Sequence, residues 1–128
     1  MKAFARAFAD LDASTSTTAK VAALKTYYRD AAPVDAAWAT YFLAGGKPKQ
    51  TVQTRYLRQA ALECSGLSAW IFEESYQAVG DLAETIANVL PPPTHAVDLG
   101  LAQWLEARLL PLRAMPPELM MEIGRAHV

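Results

Sequence analysis

Lys47, Lys49, Arg55 and Arg58 lie between Asp35 and Glu63, a stretch without one acidic residue in a chain of formal net charge −1. Cations gathered in one segment of an otherwise acidic chain suit the binding of phosphate oxyanions, with lysine as a point charge and arginine as a two-pronged donor. Gly45 and Gly46 precede them, and a glycine pair ending a helix is expected to free backbone amides and let a polyanion approach. Pro48 stiffens the loop and keeps the two lysines displayed. Arg55 and Arg58 are three apart and are expected to share one face of the next helix. Four charges imply modest affinity that falls with salt. A solvated charged loop accounts for the same residues, and spacing alone leaves both readings open. Gly80 and Asp81 form a second candidate contact, where a glycine before a helix lets a backbone come near and the amides of Leu82 and Ala83 could face a phosphate. There Asp81 is equally a natural helix cap, and a plain helix break explains the pair.

Catalytic chemistry finds little support. The two histidines are His95, beside a proline run, and His127, near the end, and neither has a partner at metal-ligand spacing. A solvated linker histidine is the expectation for His95. The single cysteine, Cys64, sits among leucines as a small hydrophobe and leaves no internal disulfide. Gly-x-Ser-x-Gly, Gly-x-Gly-x-x-Gly and the phosphate loop Gly-x-x-x-x-Gly-Lys-Ser/Thr are all absent. Gly45-Gly46-Lys47 is no such loop, because it follows a helix and no hydroxyl residue comes after the lysine. Glu73 and Glu74 are adjacent and point apart on a helix, while Asp81 and Glu84 suit a first helical turn, where negative charge is favourable.

The elements that must position these groups read as helices throughout. Phe4, Phe8 and Leu11 recur at i, i+4 and i+7 over residues 2–11. A hydroxyl-rich break at 14–18 supplies caps for a second helix ending near Arg29, with Val21, Leu24 and Tyr28 expected on its buried face. Pro33 opens a third, carrying Val34, Trp38, Tyr41 and Phe42, and Gly45-Gly46 closes it. A fourth begins near Thr51 or Thr54 and stops at Ser65-Gly66. A fifth is capped by Ser68 and runs through Trp70, Phe72 and Tyr76, and a sixth follows Gly80-Asp81 to Leu90. Pro91-Pro92-Pro93 is a hard stop. A further helix spans about 99–109, and Pro116-Pro117-Glu118 begins another. The aromatic residues follow helical periods and are expected to pack the core. No period-2 run survives, so the fold class is all-α, a multi-helix domain of six to eight short helices.

The 52% hydrophobic content is rich in alanine, which favours close helix packing, and 20% charged residues with mean hydropathy near zero fit a folded domain. No apolar run reaches the roughly 20 residues of a membrane span, and the N-terminus has no signal-peptide pattern. The expected organisation is a helical core over 1–90, a proline-rich connector at 91–98, and a C-terminal helical part at 99–121 that lacks cover of its own. Residues 122–128 resemble a translated sequencing adapter and are expected to be a non-native tail on a truncated chain.

Taken in order, residues 1–8, 37–48 with Gly45-Gly46-Lys47-Pro48, and 70–85 with Val79-Gly80-Asp81-Leu82-Ala83-Glu84-Thr85 resemble the N-terminal region of bacterial ATP-dependent DNA ligases. The similarity continues through Trp104-Leu105 and residues 109–113 to about Pro117. The resemblance implies an all-helical domain that grips nicked double-stranded DNA across the minor groove through backbone phosphates. It favours phosphate contacts at Gly45, Gly46, Lys47, Lys49, Arg55 and Arg58, with Gly80 and Asp81 near the DNA.

The family's reaction joins nicks in replication, repair and recombination. A lysine is adenylylated by ATP, AMP passes to the 5′-phosphate, and the 3′-hydroxyl displaces it, with Mg²⁺ assisting. The reacting lysine belongs to a Lys-x-Asp-Gly motif that none of the lysines here begins. The nucleotidyltransferase and OB-fold domains are also absent. Carried over are the ligase assignment and DNA binding, with no catalytic residue, cofactor or metal ligand, so the chain alone is expected to be inert. It is expected to be monomeric, cytoplasmic and associated with the nucleoid, without membrane contact. The alternative is a helical protein-interaction module that binds no nucleic acid.

Overall fold

In the computed structural model, residues 1–93 and 97–119 are described, and every regular element among them is helical. The chain divides into two units, one formed by Met1–Lys49 with Val97–Pro111, the other by Gln50–Ala96 with Leu112–Val128.

The first unit holds α1 (Lys2–Asp12), α2 (Thr17–Asp30), α3 (Pro33–Leu43) and α7 (Leu101–Gln103), which runs on as a π-helical turn over Trp104–Leu109. Ser16 caps α2, its hydroxyl accepting from the Ala19 N–H, and Pro33 occupies the first turn of α3, where a missing N–H costs nothing. Ala7, Tyr27, Ala39, Leu101 and Leu105 form the core, ringed by Phe4, Trp38, Phe42 and Leu109. Ala39 is fully buried, and its single methyl lets α3 lie close to α7. The Phe4 ring meets Tyr27 edge-on at 5.8 Å and lies 6.3 Å from Phe42. Asp35 accepts the Ala102 N–H at 2.9 Å and so caps α7 from α3, while the Trp38 indole donates to Glu106 at 2.8 Å. Pro111 has no N–H and its ring crowds the carbonyl four residues back, and the ladder widens to π spacing in the turn before it.

Two expectations change here. The buried face of α2 carries Tyr27, with Ala23 and Leu24 half-buried, whereas Val21 and Tyr28 are exposed. Packing on α1 selects that face, and two adjacent tyrosines give periodicity no means of choosing between them. The helix beyond the prolines is also covered, since Leu101, Ala102 and Leu105 are buried within the first unit.

The second unit holds α4 (Thr54–Ser65), α5 (Ala69–Val79) and α6 (Leu82–Val89), with α6 packed against both others. Phe72, Thr85 and Ala61 are its buried side chains, and the Thr85 hydroxyl is satisfied by the Asp81 carbonyl at 2.7 Å. Gly66 and Gly80 end α4 and α5 in the left-handed region, at φ +69° and +80°. Ser68 precedes α5 as expected, but its hydroxyl makes no capping bond. Cys64 is half-buried and free. Aromatic packing is less complete than the periods suggest: Trp70 is 69% exposed because Phe72 takes the core-facing position of α5, and in the first unit Tyr41 is 42% exposed. His95, His127 and the tail 122–128 lie outside the described residues.

Candidate nucleic-acid interface

The glycine pair does work of a different kind from that expected. Gly45 adopts φ +88°, its N–H donates to the Phe42 carbonyl at 3.0 Å, and the Gly46 N–H donates to the Tyr41 carbonyl at 2.8 Å. This is the paired closure of a Schellman cap, so both amides are spent on ending α3 and neither is free for a polyanion. Gly46 is required for space as well. A Cβ there would fall 2.5 Å from the Tyr41 carbonyl oxygen and 2.5 Å from its ring.

Lys47 and Lys49 follow at once, both exposed, with no hydrogen bond or ion pair among the described residues, and Pro48 between them is half-buried.

Arg55 and Arg58, at the start of α4 in the second unit, do not act as a pair. Arg55 is exposed, donates to the Tyr56 hydroxyl at 2.8 Å and stacks 4.7 Å from the Tyr56 ring. Arg58 is committed to its own fold: it forms an ion pair with Glu73 of α5 and lies 4.8 Å from the Tyr76 ring. Positions three apart on a helix reach different neighbours once a second helix packs beside one of them, and here α5 claims Arg58. Asp81 caps α6, accepting the Glu84 N–H at 2.8 Å, and its carboxylate fills the place where a phosphate would sit.

A feature of the second unit has no local signature in the sequence. A polar recess of about 350 Å³ is lined by Gln50, Thr51, Gln53 and Tyr56 from one segment of the chain and by Arg113, Met115 and Pro117 from another. Gln53 precedes α4 but its side chain makes no capping bond, and the first turn of α4 contains no acidic residue. The first unit contains an apolar groove of about 460 Å³ whose walls include Phe4, Phe8, Phe42, Trp104 and Leu109. Among the described residues no group of three His, Cys, Asp or Glu side chains could hold a metal ion, and no helix is long and apolar enough to cross a membrane.

No curated protein and no solved structure matches this chain. The family model described as DNA ligase N terminus matches residues 1–112, which include all three glycine-closed helix ends and the whole basic segment. The chain therefore belongs to the DNA ligase N-terminal family.

Proposed function

We propose that this chain is the DNA-binding domain of an ATP-dependent DNA ligase and holds nicked duplex DNA by its phosphates. The family match over residues 1–112 carries the reading. It is supported by the exposed, unpartnered Lys47 and Lys49 and by Arg55, one of whose donors is used on Tyr56 while the rest of its guanidinium fork remains available. Gly45 and Gly46 contribute by fixing where the basic loop leaves α3, and Arg58 and Asp81 by holding the second unit together. Nick sealing belongs to the whole enzyme, where ATP supplies the adenylyl group and Mg²⁺ offsets charge on the transferring phosphoryl groups. The role of this domain is to grip the substrate, in replication, repair or recombination.

The test is binding of a labelled nicked duplex across a salt series. Each phosphate neutralised steepens the dependence of log K on log salt by about 0.9, so the Lys47→Gln, Lys49→Gln variant is expected to lose roughly two such increments. Undiminished binding and slope in that variant remove the basic loop from the interface. The apolar groove of the first unit favours a second reading, a protein-interaction module, which predicts no duplex binding even at low salt.

A further inference from the structure

The recess of the second unit brings together residues some sixty positions apart in the chain, 50–56 and 113–117. Its walls carry the Arg113 guanidinium, the side-chain amides of Gln50 and Gln53 and the Thr51 hydroxyl, and no carboxylate. None of these four side chains makes a hydrogen bond or ion pair among the described residues. Donors gathered in a concave site without protein partners are what an oxyanion requires. A metal cation does not fit, since the walls offer it no charged oxygen. A stacked base is disfavoured too, because Arg55 already lies over the Tyr56 ring.

We propose that this recess takes one phosphate group of a duplex DNA backbone, with Arg113 as its cation. The inference rests on the DNA-binding reading above and adds a contact point to it. Arg113 supplies charge and a two-pronged donor, Gln50, Gln53 and Thr51 supply neutral hydrogen bonds, and Arg55 on Tyr56 adds positive charge at the rim. Free phosphate presents the same oxygens, so the two sources are separated by experiment.

The test uses the full chain and its Arg113→Gln and Arg113→Lys variants. Fluorescence anisotropy with a nicked duplex is measured across a salt series, and the glutamine side-chain NH₂ resonances are followed by NMR with duplex and with inorganic phosphate. Arg113→Gln is expected to weaken duplex binding several-fold and to flatten the salt slope by about 0.9, the signature of one lost phosphate contact. Arg113→Lys, which keeps the charge, restores the slope. In the unmodified chain the Gln50 and Gln53 NH₂ resonances shift when duplex is added. If the unmodified chain binds duplex and Arg113→Gln leaves its slope unchanged, the recess is not a DNA contact and the DNA-binding reading stands. If the unmodified chain binds no duplex, that reading fails and this proposal with it. Glutamine resonances that move with inorganic phosphate but not with duplex mark a small-anion site, which also overturns the proposal.

Discussion

Alanine at Gly46 separates a structural glycine from a ligand-contacting one. The new Cβ would meet the Tyr41 ring and the Tyr41 carbonyl oxygen, each at 2.5 Å. The ring belongs to a half-exposed side chain and can turn aside, giving up its edge-on contact with Trp38 at 5.8 Å. The carbonyl cannot move, because it is part of α3 and accepts the Gly46 N–H itself. Relief therefore means opening the cap, with the loss of one or both of its hydrogen bonds, each worth about 1 kcal/mol net, or about 2 kcal/mol together. Gly45→Ala meets nothing within 4 Å and bears only the left-handed backbone penalty of about 1 kcal/mol. Urea unfolding followed by helical circular dichroism is expected to rank unmodified chain, Gly45→Ala and Gly46→Ala in falling stability. Neither substitution is expected to alter the salt slope of duplex binding at temperatures where the variant is folded, since neither amide is available to a phosphate. A Gly46→Ala protein as stable as the unmodified chain refutes the capping argument. A changed slope with unchanged stability returns the glycines to the interface.

Asp35→Ala leaves the buried Ala102 N–H without its acceptor and is expected to cost about 1–2 kcal/mol, read as a lower urea midpoint; an unchanged midpoint means that the cap contributes nothing. Arg58→Ala removes a half-exposed ion pair and its stacking on Tyr76, so a loss of about 1 kcal/mol or less is expected, with the duplex salt slope intact; a flattened slope makes Arg58 a phosphate contact after all. Burial, followed by the nearby charge of Asp35, raises the Tyr27 phenol above the ordinary tyrosine value. The stabilisation from its neutral form is complete below the unfolded value near 10 and is lost as pH rises through the higher folded value. Ultraviolet titration at alkaline pH is therefore expected to lose a late-titrating phenol in Tyr27→Phe, and a difference curve between the two proteins that titrates at the ordinary tyrosine value contradicts the burial.

The helix ends were the most legible part of the chain, because Pro33, Gly66, Gly80 and Asp81 act through backbone conformation and local hydrogen bonds that need no distant partner. Side-chain assignments failed wherever a distant element decides them. Large apolar residues drew attention to Phe8 and Val21, which are exposed, whereas alanines at 7, 39 and 61 form much of the actual core. An alanine reveals itself as core only when a second helix comes close enough to use its small size. Arg55 and Arg58 look equivalent in one dimension, and only Glu73 and Tyr76, fifteen or more residues on, tell them apart. Arg113 carries no neighbouring signal at all, since the residues that share its recess lie near position 50.

The division of the chain also sets a timetable for synthesis. The helices α4, α5 and α6 of the second unit lie within residues 50–96, whereas the first unit's core waits for Leu101 and Leu105. At about 5–20 residues per second, several seconds separate the emergence of α3 from that of the segment that buries Ala39. During that interval Phe4, Trp38 and Phe42 have no partner from residues 101–109. A ribosome-bound chain halted before residue 100 is thus a natural client for chaperones that hold apolar segments, and release from them is expected to track translation of α7 rather than of α1 to α3.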